Sequence, residues 1–217
     1  MWEGVGLVSF LLINFWSTRI LANFGALKAF LFNRIGDLCF ILSMSILILY
    51  FGSLDISYLS HILIYNNDNL LLFALLLTLI GALSKSGQFG FHTWLLNAME
   101  GPGPVSSLLH SATMVLAGVY LILRLSSVLI LSQEFAIIVL VAGSFSALFA
   151  SINGLIDNDI KKIIAYSTVS QLGYLFVAIG AYQFDVSLFH IINHSFFKSL
   201  LFISAGVIIH SLNDDQD

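Results

Sequence analysis

Glu3, Asp37, Lys85 and Lys198 stand in apolar stretches of the chain. An ionised group near the centre of a membrane helix costs about 2.5–3.5 kcal/mol on insertion scales, so each needs a reason. His110, His190 and His194 add imidazoles, which take up and release protons near neutral pH. Carboxylate, ammonium and imidazole together are the parts of a proton relay. His190, His194 and Lys198 recur every four residues. On a helix each such step turns 400° and rises about 6 Å, so the three form one stripe about 12 Å long. Facing a hydrated interior, that stripe could carry protons through water; otherwise its members simply hydrogen-bond neighbouring helices.

Lys85 lies in the sequence Ser84-Lys85-Ser86-Gly87-Gln88, which interrupts an apolar segment. A lysine that loses solvation can exchange between charged and neutral states, and a carboxylate is its natural control. Glu3 is the expected partner, either as a switchable pair or as a static one. Arg34 and Asp37, three residues apart, are expected to pair with each other, with Asp37 also a candidate relay or interface residue. His110 is a link to a neighbouring helix or a cap. Lys161 and Lys162 adjoin Asp157 and Asp159 as solvated anchors, unless one turns inward. His92, Trp94 and Trp2 fit interfacial or packing roles, and His61 and His210 look peripheral.

The elements that position these groups are set by composition. Of 217 residues, 8 are Lys or Arg and 12 are Asp or Glu, so charge is 9% of the chain; a soluble domain carries about 25%. The hydrophobic fraction is 59% and the mean hydropathy +0.98. This is an all-α polytopic membrane protein, because the apolar runs exceed the roughly ten-residue alternating strands of a membrane barrel. Seven spans are expected: Met1 to about Trp16, then 29–51, 69–92, 105–131, 134–153, 162–183 and 186–210. Asp55 to Asn69, with His61 and the Asn66-Asn67-Asp68-Asn69 run, reads as a polar loop. The start, with Glu3 where a signal peptide carries positive charge, is expected to lie inside a membrane helix. Arg19, Lys28, Arg34, Lys161 and Lys162 fall on one side of the seven-span arrangement and only Arg124 on the other. That asymmetry marks the inner face, with Asp214-Asp215-Gln216-Asp217 on it.

Both prolines lie in Glu100-Gly101-Pro102-Gly103-Pro104. The backbone breaks there, and a second interruption is expected at Ser84 to Gln88. Broken membrane helices are tolerated where protein or water encloses the freed backbone, and they mark ion sites. The single Cys39 excludes an intrachain disulfide or a cysteine-held iron–sulfur cluster. A net charge of −4 without a basic cluster beyond Lys161-Lys162 gives no footprint for nucleic acid.

Read together, the segments resemble the antiporter-like membrane subunits of respiratory complex I. Trp2-Glu3-Gly4-Val5-Gly6-Leu7 with Ser9 is similar to the glutamate helix of that family, and Asn33-Arg34-Ile35-Gly36-Asp37 to the helix after it. Lys85-Ser86 through His92-Thr93-Trp94 resembles the first broken helix. Ala98-Met99-Glu100-Gly101-Pro102, Pro104-Val105-Ser106 and His110-Ser111-Ala112-Thr113-Met114-Val115 resemble the break and the following helix. Asp159-Ile160-Lys161-Lys162, Ala165-Tyr166-Ser167-Thr168 and Ser170-Gln171-Leu172-Gly173-Tyr174 continue the likeness, and Asn193-His194-Ser195-Phe196-Phe197-Lys198 completes it. Leu96-Asn97 stand where the family commonly has Pro-Asp, and Gly103 where it has Thr.

The resemblance implies parts of two inverted five-helix bundles, each with a charged pair and a broken helix, joined by a polar axis. Residues 1–131 would be most of the first bundle and 132–217 the opening of the second, making the chain a central piece of a split subunit. Glu3 and Lys85 would be the first bundle's pair, His110 the neighbouring relay, and His190, His194 and Lys198 the axis onward. Asp37, Lys161 and Lys162 are secondary candidates. The implied function is proton translocation driven by NADH:ubiquinone oxidoreduction elsewhere, with FMN, iron–sulfur clusters and ubiquinone held by other subunits and no cofactor in this chain. Expected partners are other membrane-arm subunits, the chains completing the split subunit, and lipid. The implied location is the mitochondrial inner membrane, or a bacterial plasma membrane. The alternatives are a subunit of a multi-subunit sodium/proton antiporter and a non-pumping structural fragment.

Overall fold

The computed structural model describes residues 2–65, 69–213 and 215–216, and the side chains of all of these except 61–65. The expected polar run Asn66-Asn67-Asp68, the position of His61's side chain, and Met1, Asp214 and Asp217 therefore lie outside the described residues.

The described chain is helical throughout its regular structure: α1 (Trp2–Ile13), α2 (Ile20–Phe51), α3 (Ile56–Tyr65), α4 (Asn69–Lys85), α5 (Thr93–Asn97), α6 (Gly103–Ser107), α7 (Met114–Arg124), α8 (Ser126–Leu131), α9 (Gln133–Gly154), α10 (Ile160–Gly180) and α11 (Phe184–Ser211). A 3-10 turn, Ala98–Glu100, follows α5, and a π turn, Leu108–Thr113, joins α6 to α7. Five helices among the described residues are long and apolar enough to cross a membrane: α2, the continuous Gly103–Arg124 rod, α9, α10 and α11. α1 and α4 are shorter apolar helices.

Three boundaries differ from the sequence reading. α2 begins at Ile20 and runs 32 residues, about 48 Å at 1.5 Å per residue, because nothing between Ile20 and Leu27 breaks a helix. Lys28 and Arg34 thus lie on α2 and not in a connection, and the inner-face count loses them. Residues 56–65 form α3 where a loop was expected. Asp55 Oδ1 accepts a hydrogen bond from the Ser57 amide at 3.2 Å, a helix-start contact, and Leu59 is buried in the packing of α3 on α8. The helix expected over 105–131 ends at Arg124, and α8 follows as a separate turn.

Membrane helices gain little from burying apolar surface against one another, so close backbone approach at small residues holds them together. At the α9–α10 crossing a Cβ added to Gly143 would meet the Gly173 carbonyl oxygen at 2.7 Å, and one added to Gly173 would meet that of Gly143 at 2.8 Å. α2 meets α4 where Gly36 lies against Ser84 and Gly81 against Phe40. α4 in turn meets α7, where Gly118 leaves no room for a Cβ beside the Ala82 carbonyl. Large apolar side chains such as Leu31, Leu49, Phe196 and Leu200 point outward, as on a lipid-facing surface.

Candidate functional site

Lys85 is the last residue of α4, and the backbone after it turns sharply. Gly87 has φ +60, the left-handed conformation glycine accepts without a Cβ clash. Its amide donates to the Ser84 carbonyl at 3.3 Å, and the Gln88 amide to Leu83 at 3.0 Å. These are the two bonds of a Schellman stop, and they leave Lys85 at the negative end of the helix dipole. The Trp94 indole N–H also donates to the Ser84 carbonyl, at 3.0 Å, so the broken helix end is capped from the segment beyond the break. Trp94 is fully buried and not interfacial.

The Lys85 ammonium lies 3.1 Å from Asp37 Oδ1, with both side chains almost wholly enclosed. It also sits 5.6 Å from the centre of the Trp2 ring, and a Cβ on Gly6 would come within 3.1 Å of it. Glu3 instead contacts Arg34, at 3.3 Å, and that pair is about half exposed. Both expected pairings, Glu3 with Lys85 and Arg34 with Asp37, are thus replaced. The cause is the rotation of α2: Ala29, Asn33 and Asp37 recur every four residues on its buried stripe, and Asp37 reaches Lys85 on α4. Arg34 is turned 100° from Asn33 and reaches α1. The four charges still form one group across three helices, Arg34–Glu3 beside Asp37–Lys85.

On α11 the expected stripe faces α10. His190 Nε2 is 2.9 Å from Gln171 Oε1, and the Lys198 ammonium donates to Ser167 Oγ at 2.5 Å. His194 is fully buried between them, its ring 6.2 Å from that of His190 and 5.3 Å from that of Phe197. His110 lies in the π turn, fully buried, 6.0 Å from the Trp94 ring. Neither of its nitrogens has a hydrogen-bond partner among the described residues. It sits inside a continuous rod, so it caps no helix.

Lys162 pairs with Asp159 at the start of α10, as an anchor does. Lys161 lines a crevice of about 410 Å³ with Phe202, Gly206 and His210. His92 packs against Phe89 and Phe149. Among the described residues no group of three or more His, Cys, Asp or Glu is gathered to hold a metal.

Sequence reasoning missed Gln88, Ser167, Gln171 and Trp94 as partners. The available signal was the Gly87-Gln88 pair that follows Lys85-Ser86: an amide at a helix stop inside an apolar segment needs partners elsewhere.

A family model described as NADH:quinone oxidoreductase/Mrp antiporter, TM, matches residues 1–217. NADH-ubiquinone oxidoreductase chain 5 of Metridium senile is 54% identical over 217 residues, all of this chain and 36% of that protein. Chain 5 of Allomyces macrogynus is 51% identical over 216 residues, covering 100% of this chain and 34% of its own length. The chain therefore spans about a third of the curated relatives it matches. Among solved structures, the Mrp complex from Dietzia sp. superposes with a TM-score of 0.89 at 31% identity, over 96% of this chain and 23% of that one. An archaeal membrane-bound sulfane sulfur reductase superposes with a TM-score of 0.80 at 23% identity, over 93% of this chain and 35% of that one, a likeness of fold.

Proposed function

The chain belongs to the NADH:quinone oxidoreductase/Mrp antiporter transmembrane family, and from that premise we propose that it works as a proton-translocating membrane-arm subunit of respiratory complex I. The observation that carries this reading is the enclosed Asp37–Lys85 contact at a helix break, with Arg34–Glu3 beside it. A lysine held by a carboxylate keeps its proton, and a lysine released into an apolar site loses it. Arg34 decides which carboxylate is free: while it holds Glu3, Lys85 rests on Asp37. Transfer of Lys85 toward Glu3, across the space that Gly6 leaves open, would free Asp37 and change the field at the neighbouring sites.

Glu3, Lys85, His110, His190, His194 and Lys198 are the proposed relay residues, with Asp37 promoted by its geometry and Lys161 and Lys162 as peripheral members. The proposed frame is seven spans, one broken, in parts of two inverted five-helix bundles divided as 1–131 and 132–217. Electron transfer from NADH through FMN and iron–sulfur clusters to ubiquinone is assigned to other subunits, with no cofactor in this chain. The half-exposed Arg34–Glu3 pair on an otherwise apolar exterior supports a neighbouring polypeptide as its cover, because uncovered charge in lipid is costly. The mitochondrial inner membrane is the proposed location.

A sodium/proton antiporter subunit is the second reading, favoured by the superposition on the Mrp complex. The identities near 50% to chain 5 proteins favour complex I. Proton translocation per electron, measured in membranes with correctly assembled complex, tests the proposal. Lys85→Ala is expected to lower the ratio, and an unchanged ratio would sink it. Sodium-driven flux without NADH would favour the antiporter.

A further inference from the structure

We propose that Gln88 is a positioning residue that ties the broken end of α4, and with it Lys85, to the α9–α10 pair that carries the partners of Lys198 and His190. The proposal rests on the proton-relay reading above. Gln88 is 1% exposed and stands in the helix stop itself, three residues past the end of α4. An apolar side chain commonly fills that place by packing back on the helix. A buried amide there is costly unless it is bonded, and the bonds of this one reach other helices.

Its Oε1 accepts from Ser146 Oγ on α9 at 2.6 Å. Its Nε2 donates to the Ser86 carbonyl at 3.2 Å and to the Val169 carbonyl on α10 at 3.4 Å. Val169 stands midway between Ser167, which accepts from Lys198, and Gln171, which meets His190. Ser146 is three residues from Gly143, at the α9–α10 crossing. One side chain three residues from Lys85 thus bridges the crossing of the helices against which the α11 stripe rests. Any displacement of the Lys85 end must either break these bonds or move α10 with it.

The test uses the assembled complex in its native membrane. Gln88→Met keeps the volume and removes only the amide, and Ser146 retains the Ala142 and Gly143 carbonyls as acceptors, each at 2.9 Å. The expected result is a fall of at least about fivefold in the coupled rate of proton translocation, the change that losing a single ordinary hydrogen bond makes in a rate constant, with a displaced pH profile of that rate. Ser146→Ala, which removes the same bond from its other side, is expected to displace the profile in the same direction, and the double variant to go no further. A coupled rate and a pH profile unchanged in assembled Gln88→Met complex, with only the amount of complex reduced, would overturn the proposal. If Gln88→Met does not assemble, Ser146→Ala decides by the same two readouts. Lys85→Ala measured alongside separates the two ideas: an unaffected Gln88→Met beside an impaired Lys85→Ala sinks Gln88 alone, whereas an unaffected Lys85→Ala sinks the relay.

Discussion

The ammonium of Lys85 lies 3.1 Å from the carboxylate of Asp37, and the two side chains are 1% and 4% exposed. Two full charges enclosed among apolar helices depend on each other. Removing one partner of such a pair leaves the other uncompensated, whereas replacing both with apolar groups is often neutral.

Asp37→Ala is therefore expected to lower the amount of assembled complex sharply, at a cost of about 3–5 kcal/mol. Lys85→Met combined with Asp37→Leu is expected to restore assembly without restoring proton translocation. Native electrophoresis and proton-to-electron ratios on the two variants check both statements. Restored pumping in the double variant would show the pair to be structural only.

Glu3→Gln should behave differently, because glutamine keeps the shape of the side chain and its amide oxygen can still accept from Arg34, whose contact with Glu3 is half exposed in this chain. Assembly is expected to be normal while the proton-to-electron ratio falls. The check is NADH oxidation against acidification in sealed vesicles, and equal ratios for Glu3→Gln and parent would remove Glu3 from the relay.

Ser167→Ala deletes the hydroxyl that accepts from Lys198. A charge-assisted hydrogen bond contributes about 1.5–3 kcal/mol, so the coupled rate is expected to fall at least tenfold, with Ser167→Thr close to the parent. Steady-state coupled turnover normalised to assembled complex is the measurement.

Gly87→Ala forces a Cβ into a residue at φ +60, with Leu95 atoms at 3.4 Å. The left-handed conformation costs about 1–2 kcal/mol for a residue with a side chain. The α4 stop is expected to loosen, giving a lower thermal midpoint together with reduced pumping.

Gly143→Val addresses packing alone. Its side chain would start 2.7 Å from the Gly173 carbonyl oxygen, and overpacking of this kind costs about 1–3 kcal/mol. A lower thermal midpoint of the solubilised complex is expected; an unchanged one would mean that α9 and α10 can separate freely.

The amino-acid sequence by itself determined that the chain is a polytopic helical membrane protein, since its charge content and long apolar runs admit no other solvent. It also located the interruption at Ser84 to Gln88, because lysine, glycine and an amide inside an apolar segment break its regularity. The four-residue spacing of His190, His194 and Lys198 was legible for the same kind of reason: helical rise and twist are local properties. Tertiary structure alone decided which charges meet. Asp37 rather than Glu3 faces Lys85 because the Gly36–Ser84 approach sets how α2 is rotated against α4, and that rotation sends Arg34 to Glu3. The partners of Gln88 and Lys198 lie 58 residues away at Ser146 and 31 away at Ser167. No periodicity carries such information, because it arises only when small residues let separate helices dock at one angle and depth.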